Sequence, residues 1–260
     1  MKLIGNFTGK LFACVTALAL ASFVVDVQAQ TVKEGTAKVR SIRGSAKYSL
    51  GGGVWVPLRV GTTLRPGATI QTAPESIVDL YLGENGPVVR VTPNTTVGME
   101  KLTYAGTGVD SVTETRLNLQ SGTIIGNVKK LAKASKYEIK TPNGVAGIRG
   151  TDYVVTSKKL PDGSFEVTFT SVTGTLVVAA NVNGNPQTVV LNNGESWTPG
   201  SNVTPTSAQL LDFYREQVAQ SMKQTLPPGY EHAALPGKRA IELHVSPTIG
   251  APKPDEGFDQ

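Results

Sequence analysis

Few residues of this chain have the type and spacing that catalysis requires. Its two histidines, His232 and His244, lie in a C-terminal stretch without hydrophobic periodicity, so a Ser–His–Asp triad or a histidine-based zinc site is not expected. A glycosidase-type carboxylate pair is not excluded by counting, because Asp79, Asp110, Asp152 and Glu195 could converge in the folded chain. No spacing in the sequence indicates such a pair. We therefore expect no catalytic residues, no metal and no cofactor.

The most distinctive stretch is TPNGVAGIRGTDYVV, residues 141–155. Its three glycines are spaced like those of a phosphate-binding loop, but such a loop needs a helix after it, whereas TDYVV is β-branched and predicts a strand. The glycines are instead expected to let a strand turn sharply in a crowded layer, Gly147 and Gly150 in particular. Between them, Arg149 is expected to be partly buried and to bind loop carbonyls, Asp152 or Glu138.

A basic cluster precedes this stretch. It consists of Lys129, Lys130, Lys133 and Lys136. A solvated loop is the ordinary interpretation, and contact with an anionic surface such as lipid headgroups or polysaccharide is the functional alternative. Nucleic acid is disfavoured because aromatic residues are not interleaved with the lysines.

Residues 1–29 have the three parts of an export signal. Lys2 and Lys10 make the start positively charged, an apolar run follows over residues 11–25, and VQA (27–29) offers small or tolerated residues at the cleavage positions before Gln30. We expect cleavage before Gln30 and a periplasmic or secreted mature protein without a transmembrane segment. Because Cys14, the only cysteine, lies within this signal, the mature chain is expected to have no disulfide and no reactive thiol.

The body of the chain alternates apolar and polar residues with the period of a β-strand. In FEVTFT (165–170) and IVDLYL (77–82) every second residue is apolar, and pairs such as Asp162-Gly163 and Asn183-Gly184 mark tight turns between such runs. Residues 30–200 are therefore predicted to form an all-β domain. Its architecture is expected to be an elongated β-helix-like or sandwich-like stack of short strands, two alternatives that periodicity does not separate.

The C-terminal part breaks this pattern. Residues 206–226 repeat apolar side chains at helical spacing, with Thr206 or Ser207 as a cap and Pro227 after the end. We expect an amphipathic helix that either packs on its own domain or binds a partner. Residues 227–260 are rich in Pro, Gly and charge, which predicts a largely disordered tail.

The motif residues resemble those of a known family. YEIKTPNGVAGIRGTDYVV (137–155), together with the upstream stretch VGTTLRPGATIQTAPESIVDLYL (60–82), resembles the FecR domain over about residues 37–197. The resemblance implies that the motif residues are mainly structural. These residues are Thr141, Pro142, Gly147, Arg149, Gly150 and Thr151.

The resemblance also suggests a function. FecR-type regulators relay a signal across the envelope from an outer-membrane receptor, but only ten residues precede the apolar run here, so the cytoplasmic anti-sigma segment is not expected. What carries over is a non-catalytic, exported module for protein interaction or signal relay, with an envelope protein as its partner. The alternatives are a carbohydrate-active or polysaccharide-binding protein and a structural matrix protein.

Overall fold

A computed structural model of the protein describes residues 31–106, 111–128 and 131–226. The predicted signal (1–29), the predicted tail (227–260), Lys129, Lys130 and Asp110 lie outside the described residues. The strands, numbered in chain order, are β1 (Lys33–Glu34), β2 (Ala37–Arg43), β3 (Ala46–Leu50), β4 (Val56–Pro57), β5 (Thr63–Leu64), β6 (Ala68–Thr72), β7 (Ile77–Tyr81), β8 (Val88–Val91), β9 (Thr96–Ala105), β10 (Val112–Asn127), β11 (Lys136–Thr141), β12 (Gly144–Lys159), β13 (Phe165–Val182), β14 (Asn185–Leu191), β15 (Glu195–Trp197) and β16 (Thr204–Pro205). A 3₁₀ turn lies at Gly83–Asn85, and one helix, α1, spans Ala208–Thr225.

The all-β prediction is confirmed, and the strands form one hydrogen-bonded network. Its main path runs β16-β15-β13-β12-β11-β10-β8-β7-β2-β5, with the remaining strands attached to its sides. Among the described residues the pairings are antiparallel apart from β10 with β11. Antiparallel pairing follows from the short turns, since a parallel pair needs a longer crossover.

Three strands are much longer than the short strands that the sequence predicts. β10 and β12 each have 16 residues and β13 has 18. The first half of β10 pairs with β9 and β11, whereas its second half pairs with β8 and β12. The long strands therefore contribute to two layers that share one core.

The core is built from the alternating residues identified in the sequence. Val78 and Leu80 of β7, and Val167 and Phe169 of β13, are fully buried. At the centre the phenols of Tyr137 and Tyr153 lie 3.0 Å apart in a hydrogen bond, and burial raises the pKa of both. Gly126 makes room for this pair, because a Cβ there would lie 2.4 Å from the Tyr153 oxygen.

Helix α1 packs on the outer surface of one layer. Ser207 caps its start by accepting a hydrogen bond from the Leu210 N–H. Val218 is buried against Ile125, Val154 and Val172, with Leu211, Tyr214 and Met222 around them. The helix therefore covers its own domain, the first of the two alternatives left open by its sequence.

No helix within the described ranges is both long and apolar enough to span a membrane.

Candidate interaction site

The family motif begins with a turn that one threonine closes. Thr141 Oγ1 donates to the Gly144 carbonyl at 2.8 Å and accepts from the Gly144 N–H at 3.1 Å. Asn143 Nδ2 donates to the Phe165 carbonyl and so attaches the turn to the start of β13. Pro142 is exposed within the turn. The turn thus sets where β12 begins relative to β13.

The second half of the motif is a β-bulge in β12. The register with β13 shifts between Arg149 and Asp152, where Gly150 adopts φ +66°. Gly174 of β13 also has positive φ, and a Cβ on it would lie 2.6 Å from the Gly150 carbonyl. Buried Thr151 fixes the bulge by donating to the carbonyls of Arg149 and Thr175. Glycine is needed here because L side chains rarely tolerate this backbone conformation.

Two expectations about the motif need correction. Gly147 lies in regular strand pairing opposite Val177. A Cβ on it would be 3.6 Å from the nearest heavy atom outside its chain neighbours, the Val177 carbonyl oxygen, so no turn depends on this glycine. Arg149 is exposed rather than partly buried, because its position in β12 points away from the core. Its Nη2 donates to the Leu131 carbonyl at 3.3 Å.

The two carboxylates proposed for Arg149 have other partners. Glu138 accepts from Arg116 on β10, and Asp152 accepts from Thr173 and Asn127. The structural role of the motif as a whole stays a prediction, with the turn and the bulge as its physical basis.

The lysine cluster is only partly described. Lys133 and Lys136 are exposed, and Lys136 lies opposite Glu114 in the parallel pairing of β10 with β11. Contact of this cluster with an anionic surface therefore stays a prediction.

The strands β9–β14 form a layer with one face open to solvent, which we call the outer face. The half of this face on β9, β10 and β11 carries ion pairs. Lys101 contacts Glu114 at 2.7 Å, and Arg116 contacts Glu138 at 2.7 Å. The hydrogen bond from Lys101 holds the pKa of the Glu114 carboxyl below its ordinary value, with a smaller opposing effect from burial. These pairs lie on β9, β10 and β11 and are open to solvent.

The other half of the same face is apolar and ends at an unpaired edge. Along one register row, Glu138 lies beside Gly147, then Val177, then Val190 of β14. Val177 and Val190 are 45% and 53% exposed. Among the described residues β14 pairs with β13 alone, so its other edge is free.

The hairpin register fixes which backbone groups face this free edge. A two-residue turn at Asn183-Gly184 joins β13 to β14, so Val182 and Asn185 form the first hydrogen-bonded pair. Alternation then directs the N–H groups of Thr188 and Val190 outward, away from β13. Pro186, the other outward residue, has no N–H to offer.

A shallow depression joins this edge to the family motif. It is lined by Pro142, Asn143, Ala179, Asn181, Pro186 and Gln187 among others. The motif turn and the free edge strand are therefore adjacent parts of one surface, which we call the β14 edge site.

The layer that α1 covers contains a buried ion pair that the sequence analysis missed. Arg90 of β8 and Asp79 of β7 are 3% and 1% exposed and form a two-pronged contact at 2.8 and 3.0 Å. Helix α1 completes the network, because Gln217 accepts from Arg90 and Ser221 donates to Asp79. The signal was present: each charge interrupts an apolar strand, in IVDLY and VVRV.

The three carboxylates weighed for catalysis that lie within the described residues have their own partners. Asp79 binds Arg90, Asp152 binds Thr173, and Glu195 accepts from the Asn192 N–H at 2.7 Å. Within the described residues no group of three or more His, Cys, Asp or Glu side chains is placed to hold a metal ion.

One protein family and some solved structures are similar to parts of this chain. No curated protein matches the chain. Two crystal structures of a protein from Parabacteroides distasonis, each described as "a putative anti-sigma factor", are similar at 12% and 13% identity, with TM-scores of 0.43 and 0.42 over 56% of this chain. The chain spans 64% and 63% of the length of those two chains. The family model for FecR protein matches residues 68–173, a range that contains both the turn and the bulge of the motif.

Proposed function

We propose that this protein is an exported, non-catalytic interaction module of the bacterial cell envelope, which relays a signal by binding an extended strand of a protein partner. The observation that carries the proposal is the free edge of β14. There the backbone of Thr188 and Val190 offers unpaired donors and acceptors beside the exposed side chain of Val177. An added strand gains affinity from such backbone hydrogen bonds.

The neighbouring surface suits a partner strand. Small or apolar residues, Val145, Gly147, Val177 and Ala179, cover the adjoining outer face. A strand laid along β14 can cover part of this apolar area with its own side chains. The FecR domain supports a relay role for the complex, and the export-like residues 1–29 support the envelope as its location.

Site-specific photo-crosslinking in cells tests this proposal. A photoreactive residue at Thr188 is expected to yield a discrete adduct with an envelope protein, whereas one at exposed Lys159, in the β12–β13 hairpin, is not. Val190→Pro removes an outward N–H and is expected to abolish the adduct. Val190→Thr keeps both the N–H and the β-branched shape, so its adduct should persist.

Three results would contradict the proposal. They are the same adduct from Thr188 and Lys159, no adduct from either position, or an adduct that survives Val190→Pro. Cell fractionation tests the location separately, since a cytoplasmic protein would contradict export.

A further inference from the structure

A second exposed apolar surface lies far along the chain from the β14 edge site. The hairpin of β3 and β4 presents Leu50, Val54, Trp55 and Val56, and Val54 is 83% exposed. Val60 follows shortly after β4 and is also exposed. Single exposed apolar residues are ordinary, but several in one short segment indicate a contact surface.

The hairpin holds these side chains in place with backbone bonds. Tyr48 pairs with Val56, and the Gly53 N–H donates to the Leu50 carbonyl at 3.0 Å. Ser49 Oγ donates to the Gly53 carbonyl, and the Gly51 N–H donates to the Gly67 carbonyl. The loop therefore has a fixed shape before any ligand binds, and all residues from 50 to 57 are exposed.

The chain segment that contains this hairpin carries charges of one sign. Residues 35–74 contain six basic residues and no acidic residue, although the whole chain has 25 basic and 20 acidic ones. The six are Lys38, Arg40, Arg43, Lys47, Arg59 and Arg65.

The hairpin places part of this charge beside the apolar tip. Lys47 Nζ lies 5.2 Å from the centre of the Trp55 ring. Arg59 and Arg65 are exposed, and the Gly51–Gly67 bond brings the segment after Arg65 next to the tip. Apolar and cationic groups therefore share one surface.

We propose that this hairpin binds the surface of an anionic lipid bilayer, with Val54 and Trp55 in the interface and Lys47, Arg59 and Arg65 on the lipid phosphates. The combination of tryptophan, aliphatic side chains and basic residues is what the boundary of a bilayer selects. A protein partner with a groove for Trp55 is the alternative occupant. The absence of acidic residues over residues 35–74 and the exposure of every residue from 50 to 57 favour a flat anionic surface instead.

Trp55 provides the readout. The chain has two tryptophans, and Trp197 is buried with its Nε1 bound to the Ser201 carbonyl. Addition of vesicles that contain phosphatidylglycerol to the full chain should shift the emission to shorter wavelength and protect it from a soluble quencher. Vesicles of phosphatidylcholine alone should produce a much smaller change, and added salt should weaken the effect.

Variants assign the binding to the hairpin. Val54→Asp is expected to weaken vesicle binding at least about tenfold, because it replaces an inserted apolar group by a charge. Lys47→Glu should weaken binding by about fivefold or more, since each basic residue near an anionic surface contributes roughly that factor. The matched control is Val190→Asp, the same change at the β14 edge site, which should leave vesicle binding unchanged.

Because Val54 is largely exposed, Val54→Asp should keep the thermal unfolding midpoint of the parent, so a lost signal reports binding and not unfolding. The proposal is overturned if phosphatidylglycerol vesicles leave Trp55 emission unchanged, or if Val54→Asp binds them as tightly as the parent does. It is likewise overturned if phosphatidylcholine vesicles bind equally well. None of these results affects the β14 edge proposal, which crosslinking tests separately.

Discussion

The surface beneath α1 and the outer face formed by β9–β14 are both made of outward-pointing strand residues, yet they hold their charges differently. Under the helix, Arg90 and Asp79 are almost completely excluded from water and share hydrogen bonds with Ser221 and Gln217. On the uncovered face, Arg116 and Glu138 form a similar contact with over a quarter of each side chain exposed. An arginine–carboxylate pair therefore contributes differently to the free energy of folding on each face.

The difference follows from desolvation. A buried ion pair needs every partner, because a charge left without its counterpart in a dry environment is strongly unfavourable. An exposed pair competes with water and salt, so it adds little to the free energy of folding. The face under α1 should thus be sensitive to single substitutions, and the uncovered face should be free to change its contacts or to bind a partner.

The largest expected effect is at Arg90. Arg90→Met leaves Asp79 buried without its counter-charge and should lower the free energy of unfolding by about 3–5 kcal/mol. Urea denaturation followed by circular dichroism measures this value. The double variant Asp79→Leu/Arg90→Met should recover a large part of the loss, because no unpaired charge remains. If Arg90→Met were no more destabilising than Arg116→Met, the contrast between the two faces would be lost.

A smaller effect is expected at the β12 bulge, the most constrained point of the motif. Gly150→Ala places a Cβ on a residue with φ +66° and should cost about 1–2 kcal/mol. Gly147→Ala is the matched control in the same strand, since its Cβ would have ordinary space and it should be nearly neutral. Thermal unfolding of the two variants measures the difference. Equal losses would contradict the view that Gly150, and not Gly147, needs glycine.

The sequence predicts which residues of a strand or helix are buried better than it predicts the partners of the charged residues. Alternation in FEVTFT correctly predicts a strand with Val167 and Phe169 inside, and helical spacing correctly predicts the amphipathic helix α1, whose Val218 is buried. Both results depend on local periodicity, which each segment expresses by itself. The all-β fold and the C-terminal helix could therefore be derived from short stretches of sequence.

The partners of charged residues depend on register between distant segments. Arg149 was expected to be the partly buried arginine of the motif, yet the buried one is Arg90, because only the folded β7–β8 pair and α1 bring Asp79 and Ser221 to it. The unpaired edge of β14 is equally non-local. It exists because no other described strand pairs with it, a fact that the residues of β14 do not encode.

The next smaller effect is expected at Arg149, an exposed arginine whose substitution can be compared with that of the buried Arg90. Because its side chain is exposed and makes one 3.3 Å bond to Leu131, Arg149→Ala should change the free energy of unfolding by less than about 0.5 kcal/mol. Urea denaturation beside Arg90→Met provides the comparison. A loss near that of Arg90→Met would show that the motif arginine is structural after all, as its sequence suggested.

The smallest expected effect is the pH dependence of the Lys101–Glu114 pair on the uncovered face. Because the hydrogen bond from Lys101 lowers the pKa of Glu114 in the folded protein, the pair should stabilise the fold above the pKa that this carboxyl has when unfolded. The contribution should be lost as the pH falls through the lowered folded value, and exposure should keep it below about 1 kcal/mol. Lys101→Met should therefore move the NMR titration of Glu114 toward its ordinary range, and its stability difference from the parent should shrink in acid. Arg65→Met, in a segment without acidic residues, serves as the control whose difference should not vary over this range. A Lys101→Met difference that stayed constant through the titration of Glu114 would mean that Lys101 stabilises the sheet by packing, and that this face is less dependent on solvent-exposed charge than its geometry implies.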